Sequence, residues 1–156
     1  MASEQPTPIS RHEALRPLSR EHHFGLQLCW KIRRGFQKDV SAERIKAYCD
    51  WFYQRYLVPH FEIEEKYLFP IMGEGNDLVD RAISDHRQIE GFIREPTNLE
   101  EVLRSLEVVL NNHIRFEERV LFNEIQRVAT DEQLDLMRKV HTHELKEEKY
   151  DDEFWG

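Results

Sequence analysis

The stretch His60-Phe61-Glu62-Ile63-Glu64-Glu65-Lys66-Tyr67-Leu68-Phe69 returns later in the chain as His113-Ile114-Arg115-Phe116-Glu117-Glu118-Arg119-Val120-Leu121-Phe122. Both copies fit the pattern His-x-x-x-Glu-Glu-[Lys/Arg]-x-Leu-Phe, and both lie in long helical patterns of apolar residues. At about 100° per residue, a His and a Glu four positions apart point roughly 40° from one another on one helix face. One such pair arises easily by chance. Two that also agree in their flanking apolar residues predict two helices presenting an imidazole and a carboxylate into one shared interior, which is how a helical bundle builds a metal site.

The first copy closes a second helix that Ser41 can cap and that turns Ile45, Cys49, Phe52, Tyr56, His60, Ile63 and Glu64 inward. Pro59 lacks an N–H for the Arg55 carbonyl, so a kink is expected just before His60. Upstream, a first helix from about His12 or Pro17 to Arg34, stopping at Gly35, carries Leu15, Leu18, His22, Leu26, Cys29 and Ile32 on one stripe. A third, from Asn76 or Asp77, aligns Val79, Ala82, Ile83, His86, Ile89, Glu90 and Ile93. Thr97-Asn98-Leu99-Glu100 has the form of a capping box for the fourth helix, whose stripe includes Leu103, Leu106, Leu110, His113, Phe116, Glu117, Val120 and Leu121. Thr130-Asp131-Glu132-Gln133 is a second such box and opens a fifth helix, where His141 reads as a packing residue. A weaker echo pairs Leu18-Ser19-Arg20-Glu21-His22 with Ile83-Ser84-Asp85-His86, each with an acid directly before the histidine.

The resulting class is all-α, with a tail at 1–11, a helical bundle over 12–150 (core about 12–128, extra helix about 131–148) and a loosely held acidic end at 151–156. A length of 156 residues fits one domain with a real core. A net charge of −8 argues against a nucleic-acid groove and against an anionic membrane surface. With neither a spanning apolar run nor a signal peptide at the first residues, a cytoplasmic protein is expected. Cys29 and Cys49 fall on core faces and read as small buried side chains rather than as a disulfide.

The four main helices thus each place one histidine, His22, His60, His86 or His113, on an apolar face, joined by Glu64 and Glu117. An ionised carboxylate in a core costs several kcal/mol unless it is paired or metal-bound. Six polar groups in four apolar stripes are satisfied most cheaply by a cation. Without thiolates, the set disfavours the cysteine-rich structural zinc sites. It exceeds what one tetrahedral zinc uses and matches two octahedral iron or manganese ions bridged by carboxylates, with positions left for small ligands. Two divalent ions against two carboxylates leave positive charge that favours a bridging hydroxide or oxide.

This arrangement of His, His-x-x-x-Glu, His, His-x-x-x-Glu resembles the hemerythrin-like (HHE cation-binding) family over roughly residues 12 to 128. The resemblance implies an up-down-up-down four-helix bundle holding a non-haem di-iron centre, with His22, His60, His86 and His113 as ligands and Glu64 and Glu117 bridging. The chain departs from the oxygen-carrying members. Where they have a second histidine four residues after the third-helix one, it has Glu90. Where they have an Asp five residues after the fourth-helix histidine, it has Glu117 at four and Glu118 at five. Glu117 is preferred, since Glu118 lies about 140° from His113 and is expected to meet solvent. Glu90 is carried with the metal ligands; its other readings are a residue that orients an imidazole and a solvated side chain at the stripe's edge.

The ferritin-like rival needs Glu-x-x-His, and none of the eight histidines has a Glu three residues before it. The expected function is a non-haem di-iron protein that binds or redox-processes O2, peroxide or NO, with reversible oxygen carriage less expected than redox chemistry or sensing. The alternatives are an interaction or sensing module whose stability depends on metal occupancy, the fifth helix docking on a partner or a second copy as a homodimer, and a structural bundle with zinc or no metal.

Overall fold

The computed structural model describes residues 10–141 and 146–156, and among them every regular element is helical. A short turn at Glu13–Leu15 leads into α1, Arg16–Gln37. Helix α2 is one rod over 42–72, in which α-helical Ala42–Phe52 and Val58–Ile63 alternate with π-helical turns at Tyr53–Leu57 and Glu64–Leu68 and end in a tight turn at Phe69–Met72. Helix α3 is Asp77–Arg94. Helix α4 spans 99–128 as Leu99–Phe116, a π-helical turn at Glu117–Leu121, and Phe122–Val128. Helix α5 is Asp131–Val140.

Local chemistry explains most of these ends. Ser41 accepts from the Arg44 N–H, Asn76 accepts from Leu78 and Val79, and Thr130 with Gln133 forms the reciprocal capping box. The box expected at Thr97 does not form. Asn98 takes the left-handed conformation ahead of Leu99, and Thr97 donates to Glu95 instead. Before Pro59 the Val58 N–H reaches back five residues to the Tyr53 carbonyl, so a π-helical turn absorbs the irregularity there. The wider turn at Glu117–Leu121 also shifts the phase of the inward stripe. Val120, expected inside, is consequently exposed.

The apolar interior falls into two clusters. One holds Leu28, Ile32, Ile45, Phe52, Ile89, Leu103 and Leu110; the other holds Leu15, Leu18, Leu68, Phe69, Ala82, Leu121 and Phe122. Every long helix crosses from one to the other, α1 and α3 starting in the second cluster, α2 and α4 in the first. The histidines and their carboxylates lie between the clusters along each helix, so the polar site has apolar packing on both sides.

The C-terminal region corrects three expectations. Helix α1 passes through Gly35 to Gln37, because a bare Cα there lets Ile45 and Phe154 pack closely; a Cβ would come within 2.8 Å of both. Helix α5 ends at Val140, well short of 148, as His141 leaves the helical conformation and turns its side chain inward. The end of the chain is anchored: Phe154 is buried in the first cluster, Asp152 pairs with Arg44, and the Tyr56 hydroxyl donates to the Lys146 carbonyl. Arg11 likewise bonds to Asn123, Gln126 and the Glu118 carbonyl, so the predicted tail does not include it. Residues 1–9 of that tail lie outside the described residues, as does His143. Truncating Phe154 to alanine is expected to cost about 3 kcal/mol, read as a lower urea midpoint with an unchanged slope; a change within the noise of unfolding curves would return residues 151–156 to the status of a loose end.

Candidate metal centre

Six of the seven residues singled out from the sequence come together in the buried layer between the clusters. They form two overlapping groups, His22, His60, Glu64 and Glu117 in one and Glu64, His86, His113 and Glu117 in the other, with one donor atom from each residue within 4.8 Å of the rest of its group. Each histidine belongs to one group; each of these two glutamates belongs to both. All four imidazoles point Nε2 inward: His60 is 3.3 Å and His86 3.1 Å from Glu64, His113 is 3.2 Å from Glu117, and His22 is hydrogen-bonded to Glu117 at 2.8 Å. The first three contacts lack the direction of a hydrogen bond. Among the described residues, His60 Nε2, His86 Nε2, His113 Nε2, both Glu64 oxygens and Glu117 Oε2 are buried without a hydrogen-bond partner. Such atoms are rare in folded proteins and call for an explanation. Here their lone pairs converge on one space, and an imidazole and carboxylate donor set of this kind fits a cation of the iron, manganese or zinc type.

Glu90 is elsewhere. It is partly exposed and paired with Arg94 at 2.7 Å and with Arg87, so it is not one of the converging residues. Its spacing from His86 equals that of Glu64 from His60, but its carboxylate turns outward to these guanidinium groups instead of joining the site.

A second ring of carboxylates surrounds the first, and the sequence reading did not identify it. Glu21 on α1 binds His60 Nδ1 of α2 at 2.8 Å; Glu65 on α2 binds His86 Nδ1 of α3 at 2.7 Å; Asp85 on α3 binds His113 Nδ1 of α4 at 3.0 Å. Glu118 on α4 stands 3.3 Å from His22 Nδ1 of α1, in ion-pair range, and also accepts from Ser19. The circuit closes helix by helix. A carboxylate on Nδ1 fixes the tautomer and leaves Nε2 as the electron-pair donor. Glu118, expected in solvent, is thus a partner of the neighbouring helix.

The repeated motif can now be read residue by residue. Its His and first Glu face the interior, its second Glu holds the next helix's imidazole, its Leu fills the core, and its Phe stacks on that same imidazole, Phe69 on His86 and Phe122 on His22. Phe61 adds a close stack on His86 at 3.7 Å.

The electrostatics follow from burial and neighbours. Burial pushes the Glu64 carboxyl up to about 8, and the charge of Glu117 adds to the rise. Burial opposes charge on His113, but Glu117 and Asp85 outweigh it and lift the imidazole to about 10. Glu117 is held well below the ordinary range, its burial outweighed by His113 and His22. Glu21 falls to about 2 in the same manner, through His141 and His60.

A small cavity of about 10 Å³ borders the site, walled by Gly25, Tyr56, Leu57, Phe61, Leu110 and Ile114 and by the imidazoles of His22, His60 and His113. That is about one water-sized sphere of free space. The larger groove of about 1050 Å³ lies on the surface by the starts of α2 and α4 and reaches none of the converging residues.

Helices carrying interior His and Glu groups define a helical protein with a cation-binding centre. The family model described as Hemerythrin HHE cation binding domain matches residues 12–125, most of the chain, and the chain belongs to that family. No match was found among curated proteins or among solved structures. Helix α5 and the segment 146–156 lie beyond the matched region. The acid before His22 and the acid before His86 were visible in the sequence as an echo, and that echo was the available signal for the outer ring.

Proposed function

We propose that this chain is a hemerythrin-like non-haem di-iron protein that binds or redox-processes O2, peroxide or NO. The observation that carries this reading is the pair of groups joined by two carboxylates. In it, His22 and His60 hold one ion, His86 and His113 the other, and Glu64 and Glu117 serve both; Glu90 stays outside. The alternation of the helices between the two apolar clusters supports an up-down-up-down four-helix bundle with α5 added at its C-terminal end.

Bound iron would supply exchangeable coordination positions and one-electron chemistry. The chain's own residues bind and orient. The outer carboxylates hold each Nδ1–H so that Nε2 stays free, the aromatic stacks fix the ring planes, and the apolar walls keep bulk water out. A cavity of about one water-sized sphere suits a small ligand better than an organic substrate. No helix among the described residues is long and apolar enough to cross a membrane, and the reading places the protein in the cytoplasm.

Protein isolated under iron-replete conditions is expected to contain two irons per chain, with near-ultraviolet charge-transfer bands that bleach with dithionite. One colourless zinc, or no metal, overturns the di-iron reading. The unpartnered interior atoms favour a second reading as well, a module whose stability follows metal occupancy. A melting temperature that does not move on chelation removes it.

A further inference from the structure

The four outer carboxylates are not equivalent. The side chains of Asp85, Glu65 and Glu118 are 21%, 22% and 31% exposed, whereas that of Glu21 is 2% exposed. Glu65 is shared with Arg87, and Glu118 with Ser19 and Arg11, all groups at or near the surface. Glu21 lies between two imidazoles. Its Oε1 accepts from His60 Nδ1 at 2.8 Å, and its Oε2 is 3.0 Å from Nε2 of His141, close but off the line of a good hydrogen bond.

His141 comes from outside the matched family region. It follows α5 directly, its backbone N–H bonded to the Met137 carbonyl, and its ring is 3% exposed at the floor of a surface recess of about 300 Å³ beside Ala14, Pro17 and Met137. A histidine with both ring nitrogens buried is costly to place in a core unless something there uses it. Asp85, in the corresponding place on α3, has only the imidazole of His113 among the described residues.

We propose that His141 is a positioning residue: through Glu21 it holds the His60 ring and shields its Nδ1–H from water, making the metal position at His22 and His60 unlike the one at His86 and His113. This rests on the two-metal reading above. The C-terminal extension is then part of the centre, although it supplies no ligand. An outer carboxylate held rigidly in a dry place keeps its imidazole more firmly oriented than one that shares its charge with solvent.

The test uses the full chain loaded with cobalt(II), whose paramagnetism moves the Nδ1–H proton signals of ligand imidazoles away from the rest of the proton spectrum. Cobalt uptake and the presence of these exchangeable signals test the metal reading by themselves; a wild-type chain that takes up no cobalt sinks that reading and this inference with it. Given the signals, the one displaced by Glu21→Gln belongs to His60 and is expected to exchange with D2O most slowly. His141→Phe, which keeps a ring but no donor, should speed that exchange by about tenfold while leaving the His113 signal in place. His141→Leu serves the same purpose if the phenylalanine variant does not fold. His141→Gln, which retains an N–H donor, should keep the slow rate. An unchanged His60 signal in the Phe or Leu variant, or equal acceleration in the Gln variant, overturns the proposal.

Discussion

On the two-metal reading proposed above, replacing Glu64 or Glu117 with alanine is expected to abolish binding at both positions, whereas replacing a single histidine should leave one position able to load. The asymmetry follows from membership: each of the two glutamates stands in both groups, and each histidine stands in one. His86→Ala removes a donor from the second group and leaves His22, His60, Glu64 and Glu117 as they were. Glu64→Ala takes a donor from both at once. At a hundredfold excess over its dissociation constant, a bound ion adds about 2.7 kcal/mol of stability. In a domain of this size, that is a melting shift of roughly 5–10 °C. The Glu64 and Glu117 variants should lose both the iron, counted by elemental analysis, and this metal-dependent shift, while far-ultraviolet circular dichroism still reports a helical fold. Two irons per chain in Glu64→Ala would exclude its carboxylate as a shared donor.

The six converging residues were legible in the sequence because the test for them is local. A histidine on an apolar stripe, with a glutamate one turn on, depends only on the period of one helix, and that period can be read without knowing what the helix packs against. The outer ring was not legible by the same means. Glu118 lies about 140° from His113 on its own helix, which says only that it leaves the interior. What it meets there, His22 of α1, depends on which helix is the neighbour. Glu21 and Asp85 show the same limit, as their acid-before-histidine spacing is visible, yet each serves a histidine on the following helix. Glu90 fails in the opposite direction, since its spacing from His86 equals that of Glu64 from His60, and only the nearby Arg87 and Arg94 decide against it. Val120 was misplaced for a backbone reason: a π-helical turn shifts the phase that a 3.6-residue period assumes. The anchoring of Phe154 beside Gly35 depends on a contact between residues far apart in the chain, which no local pattern carries.

The metal-free chain is expected to lose stability as pH rises from about 6 to about 9, by a few kcal/mol, while the metal-loaded chain does not. His113 is lifted from 6.5 to about 10, so its contribution is fully present below the unfolded value and is lost as pH rises through the folded one. His22 and His86 are raised as well, burial being outweighed by Glu117 and Glu118 for His22 and by Glu64 and Glu65 for His86, and they act with the same sign. Glu64, raised from 4.5 to about 8 by burial and by Glu117, keeps a proton in the native state that the unfolded chain has already released, which adds to the loss over the same range. Glu21 and Glu117 are lowered, so what they contribute is present above 4.5 and disappears only on acidification. The metal-free optimum therefore falls near pH 5 to 6, roughly where the two sets balance. Because these groups share one cluster, they gain and lose protons together, and the pH window measures the cluster as a unit. A metal ion competes with the same protons for Nε2 and for the carboxylate oxygens, so its binding strengthens over the range in which the empty site weakens. Melting curves of chelated and metal-loaded protein should accordingly diverge between pH 6 and 9, by roughly 5–10 °C. A chelated chain whose melting temperature is flat or rising across this window would show that the interior imidazoles and carboxylates do not hold the protons that the geometry assigns to them.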